Sequence, residues 1–496
     1  MRRLLAAALC LCAFAAASGC GDDEGASGPL ESALSYVPAD TPFVVAIDTD
    51  LEGDQYKSLQ AILDRFPGGV RIDDLFARQL EERDEGVTFA KDVKPLLGNP
   101  FVVSATDVTS FISGSDDDFV AVLDANDSEA LDRLIDKTKP QEQGEVGGAT
   151  VYDDDGTVFA VKENTVVFAG SQRLLEAALE RADAGDGMDV GRFEDGLEGL
   201  PEEALARVFF DVQALLEQDP DTQDARKVDW IRALRTFGLT ASVEDDAADV
   251  EFNLKAEGEL TDEDLPLAAG DEAPSVLRRE GEIAFGIRDP SQIATFFEGA
   301  LQAVEPQTFG DYETGKRAIS QRLGVDLDED LFGQLTGDLS MSLAVNGSFG
   351  ARAEVKSREA FADTVDKLAG ALPELGSSSG VTDVRRRGDL YEARLANGGR
   401  FVFGMRNDAF VVASDAARAR RIGSAEPSSV DGAEGSLVMA GNAEQVALQV
   451  IERIGPQLGL TGLLGGGLFA RPLDELSGSV SSSTDGMRGR FSLTLD

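Results

Sequence analysis

Phe43-Val44-Val45-Ala46-Ile47-Asp48 is a run of five apolar residues that ends in an aspartate, and a helical pattern follows it through Leu63. A second run, Ile283-Ala284-Phe285-Gly286-Ile287-Arg288, begins about 240 residues later and is followed by a helical pattern through Leu301. The two passages read alike over a strand and the helix after it. Similar passages at a regular spacing indicate internal repetition.

Further pairs of similar segments follow in the same order in both halves of the chain. They are 119–123 with 349–353, 150–152 with 390–394, 158–161 with 401–405, 165–169 with 409–413, 207–211 with 436–440, and 238–254 with 478–495. Because the order is shared, we interpret the chain as a duplication of one ancestral segment.

Short turns decide the fold class within each copy. Asp155-Gly156 and Asn397-Gly398-Gly399 are hairpin signals at equivalent places, and strands joined by such short turns are antiparallel. The predicted N-terminal caps of the helices are Asp127 or Ser128, Ser171, Asp289 or Pro290, Ser357 and Asp415. The predicted class is α+β, with two duplicated lobes, each an antiparallel sheet with helices packed on one face.

The domain boundaries follow from the repeat and from composition. The first lobe is predicted over residues 31–261 and the second over 276–496. Residues 262–275 are acidic and contain two prolines, which indicates a linker between the lobes.

The N-terminal 20 residues have the pattern of a secretory signal. Two arginines precede the apolar run Leu4–Ala17, and Ala17-Ser18-Gly19-Cys20 ends it. Fourteen apolar residues are too few to cross a bilayer, which takes about 20. The small residues before Cys20 resemble a bacterial lipobox, in which this cysteine is diacylated and becomes the first residue. An ordinary cleaved signal peptide is the alternative.

Residues 21–30 are polar, glycine-rich and acidic, and they predict a flexible tether between the acylated cysteine and the folded body. Two acyl chains give stable anchoring where one does not. We therefore expect the protein to be anchored by lipid at the extracytoplasmic face of the cell membrane.

The chain has no histidine, and its three cysteines, Cys10, Cys12 and Cys20, all lie in the leader. The commonest catalytic base, the commonest metal ligand and every thiol nucleophile are therefore missing from the body. Serine hydrolase triads, cysteine proteases and zinc sites need one of these side chains, apart from a few lysine or carboxylate variants. We expect no enzymatic activity, no catalytic residues and no cofactor.

A net charge of −46 limits the partners of the protein. Such a surface repels phosphate backbones, so we expect no nucleic-acid binding. With 42% apolar residues the chain can still bury a core. The charge favours solubility.

The stretch Ala33-Leu34-Ser35-Tyr36-Val37-Pro38-Ala39-Asp40-Thr41-Pro42, with Phe66-Pro67-Gly68 after the next helix, carries a family resemblance. It resembles a family of bacterial envelope proteins known as domain of unknown function 3352, and the likeness runs over most of the mature chain. The resemblance implies a membrane-anchored extracytoplasmic protein. It supplies no activity and no catalytic residues.

The same stretch has a local interpretation. Pro38 fixes the backbone before a turn, and Asp40 or Thr41 bonds nearby amides before the chain enters the sheet. A binding loop centred on Tyr36 and Asp40 is the functional alternative.

Several acidic clusters invite a calcium interpretation, including residues 116–118, 153–156 and 326–330. The second cluster fails the EF-hand pattern, because Val151 and Lys162 occupy positions that need ligands. We predict solvated turns and no metal site, with weak loop-borne calcium binding as the alternative. Arg385-Arg386-Arg387 is the one basic run, predicted as a strand edge that offsets neighbouring acids or, alternatively, as an anion contact.

Three functions remain open. The first is a non-enzymatic binding or scaffold protein that presents its lobes to an envelope protein or polymer. The second is a carrier for an apolar small molecule or lipid, which predicts a cavity lined by Phe-rich segments such as Phe296-Phe297. The third is a carboxylate-based glycan hydrolase, which needs two carboxyls about 5 to 10 Å apart in a cleft. The sequence leaves the partner, the ligand and the oligomeric state open.

Overall fold

The chain contains both strands and helices in the computed structural model, which describes residues 28–81, 86–108, 118–154, 156–335, 337–373, 380–454 and 468–496. The strands are β1 Phe43–Ile47, β2 Phe101–Ala105, β3 Phe119–Asp124, β4 Gln141–Val146, β5 Ala149–Asp154, β6 Thr157–Lys162, β7 Thr165–Ala169, β8 Ala206–Asp211, β9 Leu234–Val243, β10 Ala247–Ala256, β11 Glu282–Ile287, β12 Leu339–Ala344, β13 Phe349–Glu354, β14 Val381–Arg387, β15 Leu390–Leu395, β16 Arg400–Arg406, β17 Ala409–Ala413, β18 Leu437–Asn442, β19 Leu473–Ser483 and β20 Gly486–Leu495.

The first helix precedes β1, and the other helices lie between strands. The helices are α1 Pro29–Leu34, α2 Asp54–Asp64, α3 Ile72–Glu81, α4 Ser128–Thr138, α5 Gln172–Ala184, α6 Val190–Gly196, α7 Val212–Gln218, α8 Asp229–Ala233, α9 Ser291–Val304, α10 Pro306–Leu323, α11 Leu327–Asp330, α12 Arg358–Ala371, α13 Ala416–Ile422 and α14 Ala443–Ile454. Among the described residues, no helix is both long and apolar enough to span a membrane.

The chain divides into two compact units. Of the described residues, unit 1 contains those from residue 28 to Pro220 together with Arg235–Lys255, and unit 2 contains those within Asp221–Leu234 and Ala256–Thr494. Residues 262–275, the predicted linker, make contacts within unit 2. Gln292 Nε2 donates to the carbonyl oxygen of Asp262 at 2.7 Å, for example. The lobe boundaries drawn from the sequence stay predictions.

Unit 1 is built on one run of paired strands, in the order β4-β5-β6-β7-β3-β2-β1-β8-β9. All these pairs are antiparallel, and β10 pairs with β9. In the central pairs Val45 lies opposite Val103 on one side and Val208 on the other. The α+β class and the antiparallel sheet predicted from the sequence are confirmed.

Unit 2 repeats the pairing order of unit 1. Its strands pair as β14-β15-β16-β17-β13-β12-β11-β18-β19, again antiparallel, and β20 pairs with β19. Each unit 2 strand therefore has a counterpart numbered ten lower in unit 1. Origin of the two units by duplication stays a prediction.

The prediction that helices cover one face of the sheet is wrong for unit 1. On β2, Phe101 and Val103 pack in a core with Leu134 of α4, whereas Val102 packs in a second core with Leu175 of α5. Strands with continuous apolar runs bury both faces, and such a sheet needs packed elements on both sides. The run Phe43–Ile47 has this composition.

Unit 2 is also covered on both faces. Val402 of β16 packs with Ile422 of α13, and its neighbour Phe403 packs with Phe361 of α12. Because successive strand residues point to opposite faces, α12 and α13 lie on opposite sides of the sheet.

Most of the predicted helix caps are present. The side chains of Asp127, Ser171 and Asp415 each accept a hydrogen bond from a main-chain amide in the first turn of the helix. Ser357 and Pro290 occupy the cap position without a side-chain bond. Pro290 has no hydroxyl or carboxylate to accept one.

Candidate functional site

The predicted binding loop around Tyr36 and Asp40 lies in unit 1, between α1 and β1. The Tyr36 side chain is 7% exposed and packs in a core with Leu34 and Val37, and burial raises the pKa of its hydroxyl. Asp40 is exposed. Of these two residues Asp40 alone faces solvent, and binding by the loop stays a prediction.

Two arginines hold the main chain of this loop. Arg181 Nη1 donates to the carbonyl oxygen of Tyr36 at 2.6 Å, and Arg192 Nη1 donates to the carbonyl oxygen of Ala39. Arg192 is held in turn by Asp211, with 2.7 Å between Nη2 and Oδ2. The contacts of the loop around Tyr36 and Asp40 are therefore those of a structural turn whose main chain is held by side-chain hydrogen bonds.

Cys20, the predicted site of acylation, lies outside the described residues, as do the rest of the leader and most of the tether. Acylation and anchoring are therefore untested and stay predictions.

The described acidic clusters make contacts of ordinary turns and caps. Asp153 Oδ1 accepts from the amide of Gly156 at 2.9 Å in the hairpin turn, and Asp326 caps α11 by accepting from the amides of Asp328 and Glu329. Asp116, Asp117 and Asp155 lie outside the described residues. Within the described ranges no three Asp, Glu, Cys or His side chains are grouped so that they could hold a metal ion.

Asp48 is a buried carboxyl at the end of β1. Its side chain is 5% exposed; Oδ1 accepts from the amide of Asp50 at 2.8 Å, and Oδ2 has no hydrogen-bond partner among the described residues. Burial raises the pKa of Asp48 from an ordinary value near 3.8 to about 7, against the opposing effect of the Asp50 amide. An acid catalyst needs a carboxyl group with a raised pKa. The Asp48 carboxyl has a raised pKa, but it is buried away from solvent.

A cavity of about 310 Å³ lies in unit 2 between residues 227–230, residues 263–264 and helix α9. Its apolar lining consists of Val228, Trp230, Phe296, Ala300 and Ala303. The volume is at the lower end of the range for small-molecule sites, about 300 to 1,000 Å³. The cavity thus has the size and the apolar wall of a site for one short chain or ring.

The remaining lining is polar and mostly acidic. Lys227, Asp229, Glu263 and Asp264 contribute one positive and three negative charges. Lys227 pairs with Asp224 at 2.6 Å, and Asp264 accepts from the amide and hydroxyl of Thr261 at 2.8 Å. An anionic head group facing these side chains would be repelled, so the lining favours a neutral or cationic one.

Helix α9 is fixed at its N-terminal end. Gln292 Nε2 donates to the carbonyl oxygens of Asp262 and Leu265, both at 2.7 Å. These bonds tie the first turn of the helix to the segment that supplies Glu263 and Asp264 to the cavity.

A buried lysine fixes the middle of α9. Lys316 of α10 pairs with Glu298 of α9 at 3.1 Å and with Asp328 of α11 at 3.0 Å, and Tyr312 donates its hydroxyl to Glu298 at 2.6 Å. Burial raises the pKa of Tyr312 to about 12, helped by this bond. Burial alone would lower the pKa of Lys316, but its carboxylate partners outweigh it and raise the pKa.

Two apolar side chains of α9 outside the cavity lining are exposed to solvent. Phe297 is 60% exposed and Ile293 is 38% exposed, and residues four apart lie on the same side of a helix. Of the predicted Phe296-Phe297 pair, Phe296 lines the cavity and Phe297 faces solvent.

Sequence reasoning missed the other aromatic wall of the cavity. Trp230 is the only tryptophan in the chain, and it is 5% exposed. A lone tryptophan among acidic residues was a usable signal of a binding site. That Trp230 lines the same cavity as Phe296, however, depends on how residues 225–233 pack against α9.

Comparison with protein families gives one finding. A family model described as "Protein of unknown function (DUF3352)" matches residues 4–369. No curated protein matches the sequence.

Comparison with solved structures finds crystal forms III, I and IV of TP0453 among the similar ones. The sequence identities are 9%, 10% and 11%, and the TM-scores are 0.27, 0.26 and 0.27. Each match covers 46% of this chain, and 82%, 80% and 83% of the TP0453 chain. Scores this low carry no argument about function.

Proposed function

Because the chain belongs to DUF3352, a family of unknown function, we propose its role from its own residues: a non-enzymatic binding protein of the cell envelope. It is held at the membrane by an acylated Cys20, and it binds one apolar molecule in the cavity beside α9. The observation that carries the proposal is the apolar wall formed by Trp230 and Phe296.

The apolar wall of the cavity would bind an apolar ligand by burying the ligand's surface. Burial of apolar surface contributes about 25 cal/mol per Å² covered, and the entropy of binding is subtracted from this gain. The acidic rim selects against carboxylate or phosphate heads. We therefore propose a neutral or cationic ligand with one short apolar chain, and the protein acts as its carrier.

The anchor supports the same role. The leader and the tether predict a protein held close to a bilayer, the usual source of apolar molecules in an envelope. No chemistry is proposed, because the body of the chain has no histidine and no cysteine.

A scaffold function is the second candidate. Phe297, at 60% exposure, and Ile293, one helical turn away, present apolar surface beside the cavity. Exposed aromatic side chains of this kind are enriched at protein interfaces. An envelope protein or polymer that covers this side of α9 would make the protein a scaffold.

Quenching of Trp230 fluorescence tests the carrier function. A brominated short-chain alcohol is neutral, and its bromine atoms quench tryptophan on contact. Because Trp230 is the only tryptophan, titration of the full chain with this alcohol is expected to give saturable quenching. Ala300→Glu places a charge in the cavity and is expected to weaken binding by about tenfold or more, which corresponds to about 1.4 kcal/mol.

Thr295→Glu is the matched control. It adds the same charge at an exposed position of α9 outside the cavity lining, and we expect wild-type quenching. The carrier function is rejected if wild-type fluorescence does not change, or if Ala300→Glu binds as tightly as the wild type.

A further inference from the structure

Strand β4 is an exposed sheet edge in unit 1. Residues 141–145 are all exposed, and within the described part of the chain β4 pairs with β5 and with no other strand. Glu142 and Glu145 make this edge acidic, and it has no positive charge. The outer side of β4 therefore presents main-chain amides and carbonyls beside two carboxylates.

Strand β14 is the counterpart edge in unit 2, and its charge is opposite. Among the described strands it pairs with β15 alone. Arg385, Arg386 and Arg387 are exposed and form three of its seven residues. This is a basic edge on a chain whose net charge is −46.

The ion pairs that these arginines form within their own molecule are exposed to solvent. Arg385 pairs with Asp383 at 2.7 Å, Arg386 with Asp366 at 3.6 Å, and their side chains are 56% and 64% exposed. Exposed ion pairs contribute little free energy, about 0 to 1 kcal/mol. These side chains can therefore exchange their partners for carboxylates of another chain.

Charged edges usually prevent association because they meet like charges on another copy. Here the two edges carry opposite charges, so β4 of one copy and β14 of another attract. The lengths also fit, with six residues in β4 and seven in β14. We propose that β14 binds the β4 edge of a second copy of this chain, so that the two strands pair through main-chain hydrogen bonds and Glu–Arg contacts.

The proposal is independent of the carrier function, because neither strand contributes to the cavity lining. The contact joins two different surfaces, so each pair of copies leaves one β4 and one β14 for the next copy. The assembly is therefore an open row or a closed ring.

The net negative charge opposes this contact but acts at longer range. At physiological salt, charges further apart than about 8 Å are largely screened, whereas paired strands lie about 4.8 Å apart. The edge contact therefore survives at a salt concentration that suppresses the general repulsion.

Sedimentation velocity of the full chain in mild detergent tests the proposal, at about 0.15 M salt. We expect the wild-type sedimentation coefficient to rise with protein concentration. The variant Arg385→Glu/Arg386→Glu/Arg387→Glu reverses the charge of the β14 edge and is expected to need at least about tenfold more protein to associate.

Arg71→Glu/Arg173→Glu/Arg317→Glu is the matched control. These arginines are exposed and lie outside both edge strands, so the control has the same net charge as the β14 variant. It is expected to associate like the wild type.

Charge exchange provides the sharper test. Glu142→Arg/Glu145→Arg makes the β4 edge basic and is expected to prevent self-association. A mixture of this variant with the β14 variant is expected to associate again, because each basic edge then meets an acidic one. The proposal is overturned if the wild type stays monomeric at all concentrations, if the β14 variant associates like the wild type, or if the mixture stays monomeric.

Discussion

Replacing Arg418 with methionine is expected to lower the free energy of unfolding of unit 2 by about 3–5 kcal/mol. Arg418 and Glu282 form an ion pair in which both side chains are only 7% exposed. Arg418 Nη1 lies 3.1 Å from Glu282 Oε2 and 3.3 Å from the carbonyl oxygen of Ser348. Methionine fills a similar volume but leaves the Glu282 carboxylate buried without this partner.

The lower end of this range is expected, because Arg279 Nε also lies 3.2 Å from Glu282 and retains part of the pairing. Urea unfolding of the wild type and the variant measures the loss. Arg317→Met is the control in the same unit. This exposed arginine donates to the carbonyl of Glu313 on its own helix, and its replacement is expected to change stability by less than about 0.5 kcal/mol.

A double-mutant cycle separates the charge from the packing. Glu282→Leu alone leaves Arg418 buried and unpaired, whereas Arg418→Met/Glu282→Leu removes both charges. Replacing a buried pair by apolar residues is often neutral, so the double variant is expected to lose far less than the sum of the single losses. Additive losses would show that the pair does not act as a unit.

Asp48→Asn is expected to remove a pH dependence of stability from unit 1. The folded state holds the Asp48 proton up to about pH 7, whereas the unfolded chain releases it near pH 3.8. Between these values the folded state binds more protons, so stability falls as pH rises from about 4 to about 7 and is level above that. A shift of about three units corresponds to a loss of up to about 4 kcal/mol.

Asparagine has the shape of a protonated aspartate and does not titrate. The difference in unfolding free energy between Asp48→Asn and the wild type is therefore expected to rise by up to about 4 kcal/mol between pH 4 and pH 8. Because the chain has no histidine, no residue with an unperturbed side-chain pKa near 7 obscures the effect.

Asp74→Asn is the control for this experiment, because Asp74 is an exposed carboxyl of α3. Its stability is expected to follow that of the wild type at every pH. A difference between Asp48→Asn and the wild type that stays constant from pH 4 to pH 8 would contradict the assignment.

The positions of the strands could be predicted from the sequence because the repeated apolar runs are local signals. The run Phe43–Ile47 and its counterpart in the second half fall on β1 and β11, and the other paired segments fall on counterpart strands. The prediction of helices on one face was wrong because short hairpin turns determine the antiparallel pairing of strands but not the burial of their faces. Continuous runs such as Phe43–Ile47 were the stronger signal, since they need cover on both sides.

The cavity could be predicted only in part. Phe296 was a candidate because the adjacent phenylalanines on a helical pattern stood out. Trp230 lines the cavity because residues 221–234 belong to unit 2, as α9 does. Such long-range packing leaves no periodic signal. The raised pKa of Asp48 likewise follows from its burial, which its position after a strand does not reveal.

Native mass spectrometry of the protein, purified from its own membrane in mild detergent, tests the anchor and the carrier function together. We expect a diacylated Cys20 and one bound apolar molecule per chain, and we expect Ala300→Glu to keep the acyl groups but lose the molecule. A wild-type protein without a bound molecule, or an Ala300→Glu variant that retains it, would contradict the carrier function. An unmodified Cys20 would contradict the anchor.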